Sequence, residues 1–589
     1  MNVMLDTLRK ELKIRNITAY IVFNTDPHGS EYIPKDFMFI KALTGFTGDN
    51  ATVIVTQSFA GLWTDSRFFL SGEKELKNSG FTLMNKEGKP EFTYINYLKK
   101  NLKAGDSIAF NGELLSANAY FDFKNKFSNI TVNNSTDLSQ DVWKEKPEIF
   151  FSKMFILDEK YSGKSFSQKL SEIQDVMEKY KADVFLTAAL DDIAWTLNLR
   201  ASDIDFCPVF RSFLIIEKDT KTTLFIHKKR LSPEIEKYLS GLNIDTKEYD
   251  LVCDYLSAIK QKNIMLDGNT VNSLLYSSVA ASCKIIDKPS PVQLLKAKKN
   301  PTELQNMNLS MIEDGLALER FFYRFEKNLA EGVKMTELSA AQILLEERKK
   351  SETFLFESFE CISAFNPHAA MPHFAPSEKD NLTIEKDGVY LVDSGGQYLL
   401  GTTDVTRTIP TGKFPENFAR DYTLVLIGNL NIAMQKFPIG TPGSRLDVLA
   451  RQALWQYGLD FGHGTGHGVG YCLNCHEGPH AFSTSSKKNN AVAFEPGMII
   501  TDEPGLYIEN QYGIRHENML EVVKSSYDGF LEFKTMTLCH IDTRPIVKEL
   551  LTKEHIKFLN AYNRMVYEVL SPKLEDKVRE YLKERTAEI

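Results

Sequence analysis

Residues 5–15 mix apolar and charged positions with a helical period, and the apolar run 19–23 that follows reads as a strand. The same succession returns at 165–181 and 182–186. After each comes a segment rich in aromatics and Gly or Asn, then two more strand-like runs. These are 51–56 and 61–64 in the first case, 212–217 and 222–226 in the second. Helical periodicity alternating with β-branched runs predicts an α/β domain built twice, over 1–148 and 149–296. The two prolines of Asp287-Lys288-Pro289-Ser290-Pro291 mark the boundary that follows.

A helix is predicted to start at Asn300, with Pro301 at its first position and Glu303 reaching back to the cap. Met311, Leu318, Phe322 and Phe325 continue its apolar stripe. Strands are expected at 388–393, 400–409, 497–502 and 513–523, and C-terminal helices broken by Pro572. Residues 297–589 therefore read as one larger α+β domain.

Composition narrows the function classes. The 589 residues are 43% hydrophobic and 25% charged, an ordinary globular balance. A net charge of -8 does not suit a nucleic-acid binder. No apolar run approaches the ~20 residues of a membrane helix. Charges at Asp6, Arg9, Lys10, Glu11, Lys13 and Arg15 interrupt any signal-peptide core. The seven cysteines are odd in number and scattered, apart from Cys472 and Cys475, which suits reduced thiols. A cytoplasmic protein with no membrane or nucleic-acid partner is expected.

The chemistry concentrates in three stretches. The first, FGHGTGHGVGYCLNCHEGPH (461–480), holds four of the eleven histidines. His463 and His467 are four apart, as in a zinc-binding helix, but Gly464, Gly466, Gly468 and Gly470 favour a loop or strand. Cys472, Cys475 and His476 match C-x-x-C-H, a cheap match in a long chain, and c-type haem is attached outside the cytoplasm. The second, VYLVDSGGQYLLGTTDVTRTIP (389–410), has two strand-like runs around Gly395-Gly396, so a hairpin is expected. Asp393 and Asp404 are uncomfortable strand residues, and either alone would read as a turn aspartate or surface ion pair. The third, GMIITDEPGLYIENQYGIRHENMLEVV (497–523), sets Glu503 before Pro504-Gly505. Arg515, Glu517 and Met519 share one face of its last strand, with His516 and Asn518 on the other. His480 and His516 read as polar loop or outer-strand groups.

Asp393, Asp404, His467, Glu503 and Glu517 together give four carboxylates and one imidazole. Clustered carboxylates raise one another's pKa, and two divalent cations would match their charge. The oxygen-rich set favours Mn2+, with Zn2+ or Co2+ as alternatives. A pair of bridged metals is a hydrolytic device.

These motifs resemble the pita-bread metallopeptidases and, along nearly the whole chain, their three-domain Xaa-Pro aminopeptidase (aminopeptidase P) branch. The resemblance rests on DSGGQYLLGTTDVTRT (393–408), HGTGHGVG (463–470), LNCHEGP (473–479), TDEPGLY (501–507) and GIRHEN (513–518). GFTGDNATVIVT (45–56), LWTDSRFFL (62–70), LDDIAWTLNLRASDI (190–204) and LNAYNRMVYEVLSP (559–572) extend it. It implies two creatinase-like α/β domains followed by a pita-bread catalytic domain. It also implies a homodimer and cleavage of peptides with proline in the second position. By resemblance, Asp393, Asp404, His467, Glu503 and Glu517 are the metal ligands, with Asp404 and Glu517 bridging. Asp393 falls on one ion, His467 and Glu503 on the other. His373, His463 and His476 match pocket histidines, and Arg515 a supporting arginine. His463 is expected to steady the oxyanion, His373 or His476 to hold the carbonyl or the proline side, and Glu503 to shuttle the proton. His368, Cys472 and Cys475 depart from the pattern and carry no inherited role; packing is expected of the two thiols. The competing readings are a non-catalytic peptide-binding protein on the same fold and a prolidase-like dipeptidase.

Overall fold

A computed structural model describes residues 2–48, 50–65, 68–84, 93–218, 221–483 and 491–589. Asp49, Ser66 and Arg67, within the matched N-terminal segments, lie outside the described residues. The chain divides into two compact units. The first holds Met1–Ile156, Ser165–Asp205 and Val209–Val292, the second Leu157–Lys164, Phe206–Pro208 and Gln293–Ile589.

The first unit contains one plan twice. Strands β1 (Ala19–Phe23), β2 (Ala51–Val55), β3 (Ala60–Thr64), β4 (Thr82–Met84), β5 (Ser107–Ala109) and β6 (Thr131–Asn133) form a sheet of order β4-β3-β2-β1-β5-β6. Strands β7 (Val184–Thr187), β8 (Ser212–Glu217), β9 (Lys221–Ile226), β10 (Ile244–Lys247), β11 (Asn263–Leu266) and β12 (Lys284–Asp287) form β10-β9-β8-β7-β11-β12. The pairing senses repeat as well. β1 runs antiparallel to β2 and parallel to β5, and β7 runs antiparallel to β8 and parallel to β11. The helices that precede them are α1 (Val3–Ile14), which begins two residues before the expected 5–15 because Asn2 caps it, and α2 (Phe166–Tyr180), which falls within the expected 165–181. α2 starts on a capping box of Ser165 and Gln168.

The second unit opens on α3 (Pro301–Ala330), capped by Asn300 and Glu303 as the sequence predicts. α4 (Glu337–Arg348) packs on it, and Phe321, Phe322, Phe325 and Leu344 share an apolar cluster. β13 (Ile362–Phe365), β14 (Val389–Ser394) and β15 (Val405–Pro410) form one antiparallel sheet with β14 central. A larger sheet contains β16 (Lys436–Pro438), β17 (Gly466–Gly468), β18 (Glu477–Phe482), β19 (Ile499–Asp502), β22 (Asn518–Lys524) and β23 (Phe530–Thr535), in the order β16-β23-β22-β19-β17-β18. Between β19 and β22 lies a hairpin of β20 (Gly505–Ile508) and β21 (Tyr512–Arg515). Helices α5 (Phe418–Ala433), α6 (Asp447–Trp455) and α7 (Lys553–Leu570) complete the core.

Two expected strands are broken. The run 400–409 divides at Thr403-Asp404, and the run 513–523 divides at His516-Glu517. Arg515 and Glu517 therefore do not owe their common direction to strand alternation. Both breaks fall at acidic residues that leave the ladder and turn their carboxylates inward.

Candidate metal centre

Asp393 and Asp404 come from the β14–β15 ribbon, whose register sets Asp393 opposite Thr406 and Ser394 opposite Val405. Both are buried, at 7% and 3% exposure. His467 is the middle residue of β17, which lies between β18 and β19. Glycine on either side lets this strand sit close: a Cβ at Gly466 would collide with the Thr501 carbonyl, and one at Gly468 with the Glu477 carbonyl. The sequence suggests glycines that admit metal and peptide; at these two positions they admit neighbouring backbone instead. Glu503 follows β19 and is tied by its N–H to the Thr465 carbonyl at 2.8 Å. Glu517 donates its N–H to the Thr406 carbonyl at 3.1 Å, joining the second break to β15.

The structure brings these five together. Three overlapping triplets each have their donor atoms within 4.8 Å of one another: Asp393, Asp404 and Glu517; Asp404, His467 and His476; His467, Glu503 and Glu517. Asp404 and Glu517 each belong to a triplet with Asp393 and to a triplet with His467, the arrangement bridging carboxylates require. His467 Nδ1 lies 2.9 Å from the Gly468 carbonyl and so carries the hydrogen. Its Nε2 then faces Asp404 Oδ2 at 3.5 Å and Glu503 Oε1 at 3.4 Å, a position that a proton on the ring or a cation held between the three groups satisfies.

Electrostatics point the same way. Burial, with Asp404, Asp393 and Glu503 nearby, holds Glu517 well above the usual carboxylate range. Burial raises Asp393 against the pull of Arg515, and raises Glu503 against His467. Burial also opposes ionisation of Asp404, but His467, His476 and Cys475 outweigh it and lower its pKa. Asp393 Oδ1 and Glu517 Oε1 are buried without a hydrogen-bond partner. Orphaned oxygens in an anion-rich pocket fit hard divalent cations.

Arg515 donates to Asp393 Oδ2 from Nη2 at 2.5 Å and from Nε at 3.1 Å, to Tyr507 OH at 2.6 Å, and to the carbonyl of Pro372 beside His373 at 3.4 Å. Tyr507 OH lies 2.8 Å from His463 Nε2, and His463 Nδ1 is 2.7 Å from the Gly464 carbonyl. Burial and Arg515 push His463 down to about 3, so it is neutral. Its one N–H is given to Gly464, and Nε2 accepts from Tyr507. The expected oxyanion donor is thus committed elsewhere, as the end of an Asp393–Arg515–Tyr507–His463 chain. Tyr507 escaped the sequence reading; its signal is the hairpin register, which sets Arg515 opposite Gly505, a residue with no side chain to separate it from Tyr507.

His373 is exposed and near enough to His463 to oppose its protonation. His476 is exposed, its ring centroid 4.4 Å from that of His467, so it stands with the metal-side donors as well as with the pocket. His480 is not in a loop: it is buried in β18, with Nε2 2.7 Å from the Ile499 carbonyl. His516 is buried too, edge-on to Tyr422 at 4.3 Å. His368 rests on Glu337 at 2.9 Å and packs its ring, tilted, against Phe374 at 4.0 Å, anchoring the segment that carries His373. Cys472 and Cys475 are both buried, and Cys475 does more than pack: its thiol donates to Asp404 Oδ2 at 3.2 Å.

Residues 307–524 match the model of metallopeptidase family M24, and 529–589 that of its C-terminal region. Residues 4–143 and 145–303 each match a creatinase/prolidase N-terminal domain. The chain is 37% identical to Xaa-Pro aminopeptidase 1 of Dictyostelium discoideum, over 97% of itself and 93% of that protein. It belongs to the Xaa-Pro aminopeptidases of metallopeptidase family M24. Human Xaa-Pro aminopeptidase 2 is 34% identical over 97% of this chain and 86% of its own length. A crystal structure of a Caenorhabditis elegans X-prolyl aminopeptidase, described as a cytosolic enzyme with a di-nuclear active site, superposes with a TM-score of 0.93 at 32% identity, covering 100% of this chain and 99% of that one. The Xaa-Pro dipeptidase of Bacillus anthracis shares only the fold, at 21% identity over 64% of this chain. This Xaa-Pro aminopeptidase family member thus has the creatinase-like domains and pita-bread region expected of it. No helix among the described residues is long and apolar enough to cross a membrane.

Proposed function

We propose that this chain releases the N-terminal residue from peptides with proline in the second position, using two divalent metal ions held by Asp393, Asp404, His467, Glu503 and Glu517. The observation that carries the reading is the overlap of the donor triplets at Asp404 and Glu517, with an orphaned oxygen on Glu517. Two cations at such a site supply a nucleophile from water near neutral pH and polarise the scissile carbonyl.

The protein's own groups do the rest. His467 is fixed in one tautomer by Gly468. Arg515 holds Asp393 and, through Tyr507, orients His463. We assign His476, exposed beside His467, to the substrate carbonyl, and His373 to the proline side. Glu503, its pKa raised by burial, takes the proton and returns it to the leaving nitrogen.

Stripping the metal, restoring it and assaying a tripeptide with proline second tests the reading. Metal-dependent release of the first residue is expected, and its absence would sink it. Preference for a dipeptide ending in proline would favour a prolidase-like enzyme. Peptide binding without turnover would favour a non-catalytic module. The oxygen-rich donor set supports Mn2+, checked by metal analysis of protein purified without added metal. The family resemblance supports a homodimer, checked by sedimentation, and the cytosolic relative supports a cytoplasmic location, checked by fractionation. Division at 1–148, 149–296 and 297–589 is checked by limited proteolysis.

A further inference from the structure

Arg407, in β15, is buried at 2% exposure, yet no carboxylate is among its hydrogen-bond partners. Its acceptors are all neutral. Nε donates to the His540 carbonyl at 2.9 Å. Nη1 donates to the Thr406 carbonyl at 2.9 Å and the Glu517 carbonyl at 2.6 Å. Nη2 donates to Asn518 Oδ1 at 2.9 Å, the Cys539 carbonyl at 2.7 Å and Tyr562 OH at 2.8 Å. A carboxylate, Glu319, acts on it only at longer range, from behind His540, so what the fork itself contributes at its six acceptors is geometry.

That geometry ends at the metal site. Nη1 ties together the carbonyls of the two residues at the site's edge, and Thr406 Oγ1 donates to Glu517 Oε2 at 2.8 Å. With the Glu517 N–H on the Thr406 carbonyl, Glu517 is fixed at its N–H, its carbonyl and one carboxylate oxygen. Its other oxygen is left without a partner. The far side of the fork is held by the irregular segment 536–542 and by α7. Tyr562 OH donates to the Cys539 carbonyl at 2.7 Å, and Asn563 Oδ1 accepts from the Ile541 N–H at 3.1 Å. Glu319 on α3 holds His540 through its N–H and Nδ1, both at 2.8 Å.

We propose that Arg407 is a positioning residue for the metal centre, and that through it the C-terminal region, which contributes none of the five donors, sets metal affinity. The inference rests on Glu517 being a metal ligand. Lysine cannot replace the fork, because one ammonium cannot span acceptors on three chain segments.

The test is Mn2+ binding to the full-length protein, by equilibrium dialysis and elemental analysis well below the melting temperature. Arg407→Lys is expected to weaken at least one Mn2+ by about 10–100-fold, the scale of outer-shell losses, with kcat recovering as Mn2+ is raised. Tyr562→Phe should weaken it by about two- to tenfold. Leu559→Ala, buried on the same helix but outside the clamp, should lower Tm and leave affinity within about twofold of wild type. Affinities within about twofold of wild type in both clamp variants would overturn the inference. So would a Leu559→Ala loss as large as that of Tyr562→Phe. If Arg407→Lys fails to fold, Tyr562→Phe against Leu559→Ala decides. Glu517→Gln, run alongside, separates the two readings: if it keeps both metals, the site assignment itself fails, whereas its loss with intact clamp variants removes only the clamp.

Discussion

Two buried charge clusters, one in each unit, follow opposite rules. In the first, acid meets base one to one. Arg211 forms a fork on Asp36 at 3.0–3.1 Å. Arg230 sits on Asp203, which also accepts from the Ser152 hydroxyl at 2.9 Å and the Arg211 N–H at 3.0 Å. In the second, four carboxylates gather with the imidazoles of His467 and His476, and one of them, Asp393, is paired with Arg515. The first region is neutralised by its own chain. The second leaves Asp393 Oδ1 and Glu517 Oε1 without a partner from the chain, for a proton or an added cation to meet, and that surplus is what sets the candidate metal centre apart from a buried ion pair.

The largest expected effect comes from removing one anion of the surplus. Glu517→Gln should lose metal and drop kcat by about 10⁴-fold or more, the scale of disabling a unit that acts together. The same change should raise the Tm of the metal-free protein, because it relieves like-charge repulsion. Elemental analysis, steady-state kinetics and calorimetry in chelator check the three parts. A lower metal-free Tm would mean that the cluster is held by its own hydrogen bonds and is not in surplus.

The matching change in the first unit should do the reverse. Asp36→Asn strands the buried Arg211 charge and should cost about 3–5 kcal/mol of stability in denaturant unfolding. kcat per folded molecule should stay within about twofold of wild type, since the pair touches no donor of the site. Equal losses of activity and stability would erase the contrast between the regions.

The contrast was only partly legible in the sequence. The duplicated sheet plan shows in β-branched runs whose bounds match β1 and β8 residue for residue, because strand patterning is local. The five candidate donors are legible through motif resemblance; spacing alone reads Asp393 and Asp404, taken singly, as turn or ion-pair aspartates. The breaks at Thr403-Asp404 and His516-Glu517 were hidden, since β periodicity does not reveal where a residue leaves the ladder to meet a distant partner. Burial of His480 and His516 was hidden for a related reason: a polar residue reads as exposed until its neighbours in the other strands are known. Tyr507, Cys475 and Arg407 act through contacts 8 to 155 residues away in the chain.

Arg515 is where the two rules meet, a cation paired with an acid inside the surplus. Tyr507→Phe removes the hydroxyl that joins Arg515 to His463 and leaves the ring. Activity should fall by about 10–100-fold with metal content unchanged. A loss of metal would place Tyr507 with the ligand-holding groups instead.

The smallest effect is a pH dependence, and its sign separates surplus from pairing. Glu517, Asp393 and Glu503 have folded pKa values raised above the unfolded value of about 4. Stability from a raised carboxylate is fully present below its unfolded pKa and is lost as pH rises through the folded value. Asp404, lowered, runs the other way and gives up its share only on acidification. In chelator, the Tm of wild type should therefore fall further below that of Glu517→Gln between about pH 5 and pH 8, by about 1–2 °C for ~1 kcal/mol. With metal present the dependence should invert, because protons compete for the same oxygens and affinity rises with pH. A gap that stays constant across that range would mean that Glu517 is already ionised in the metal-free fold, and that the protein supplies its counter-charge after all.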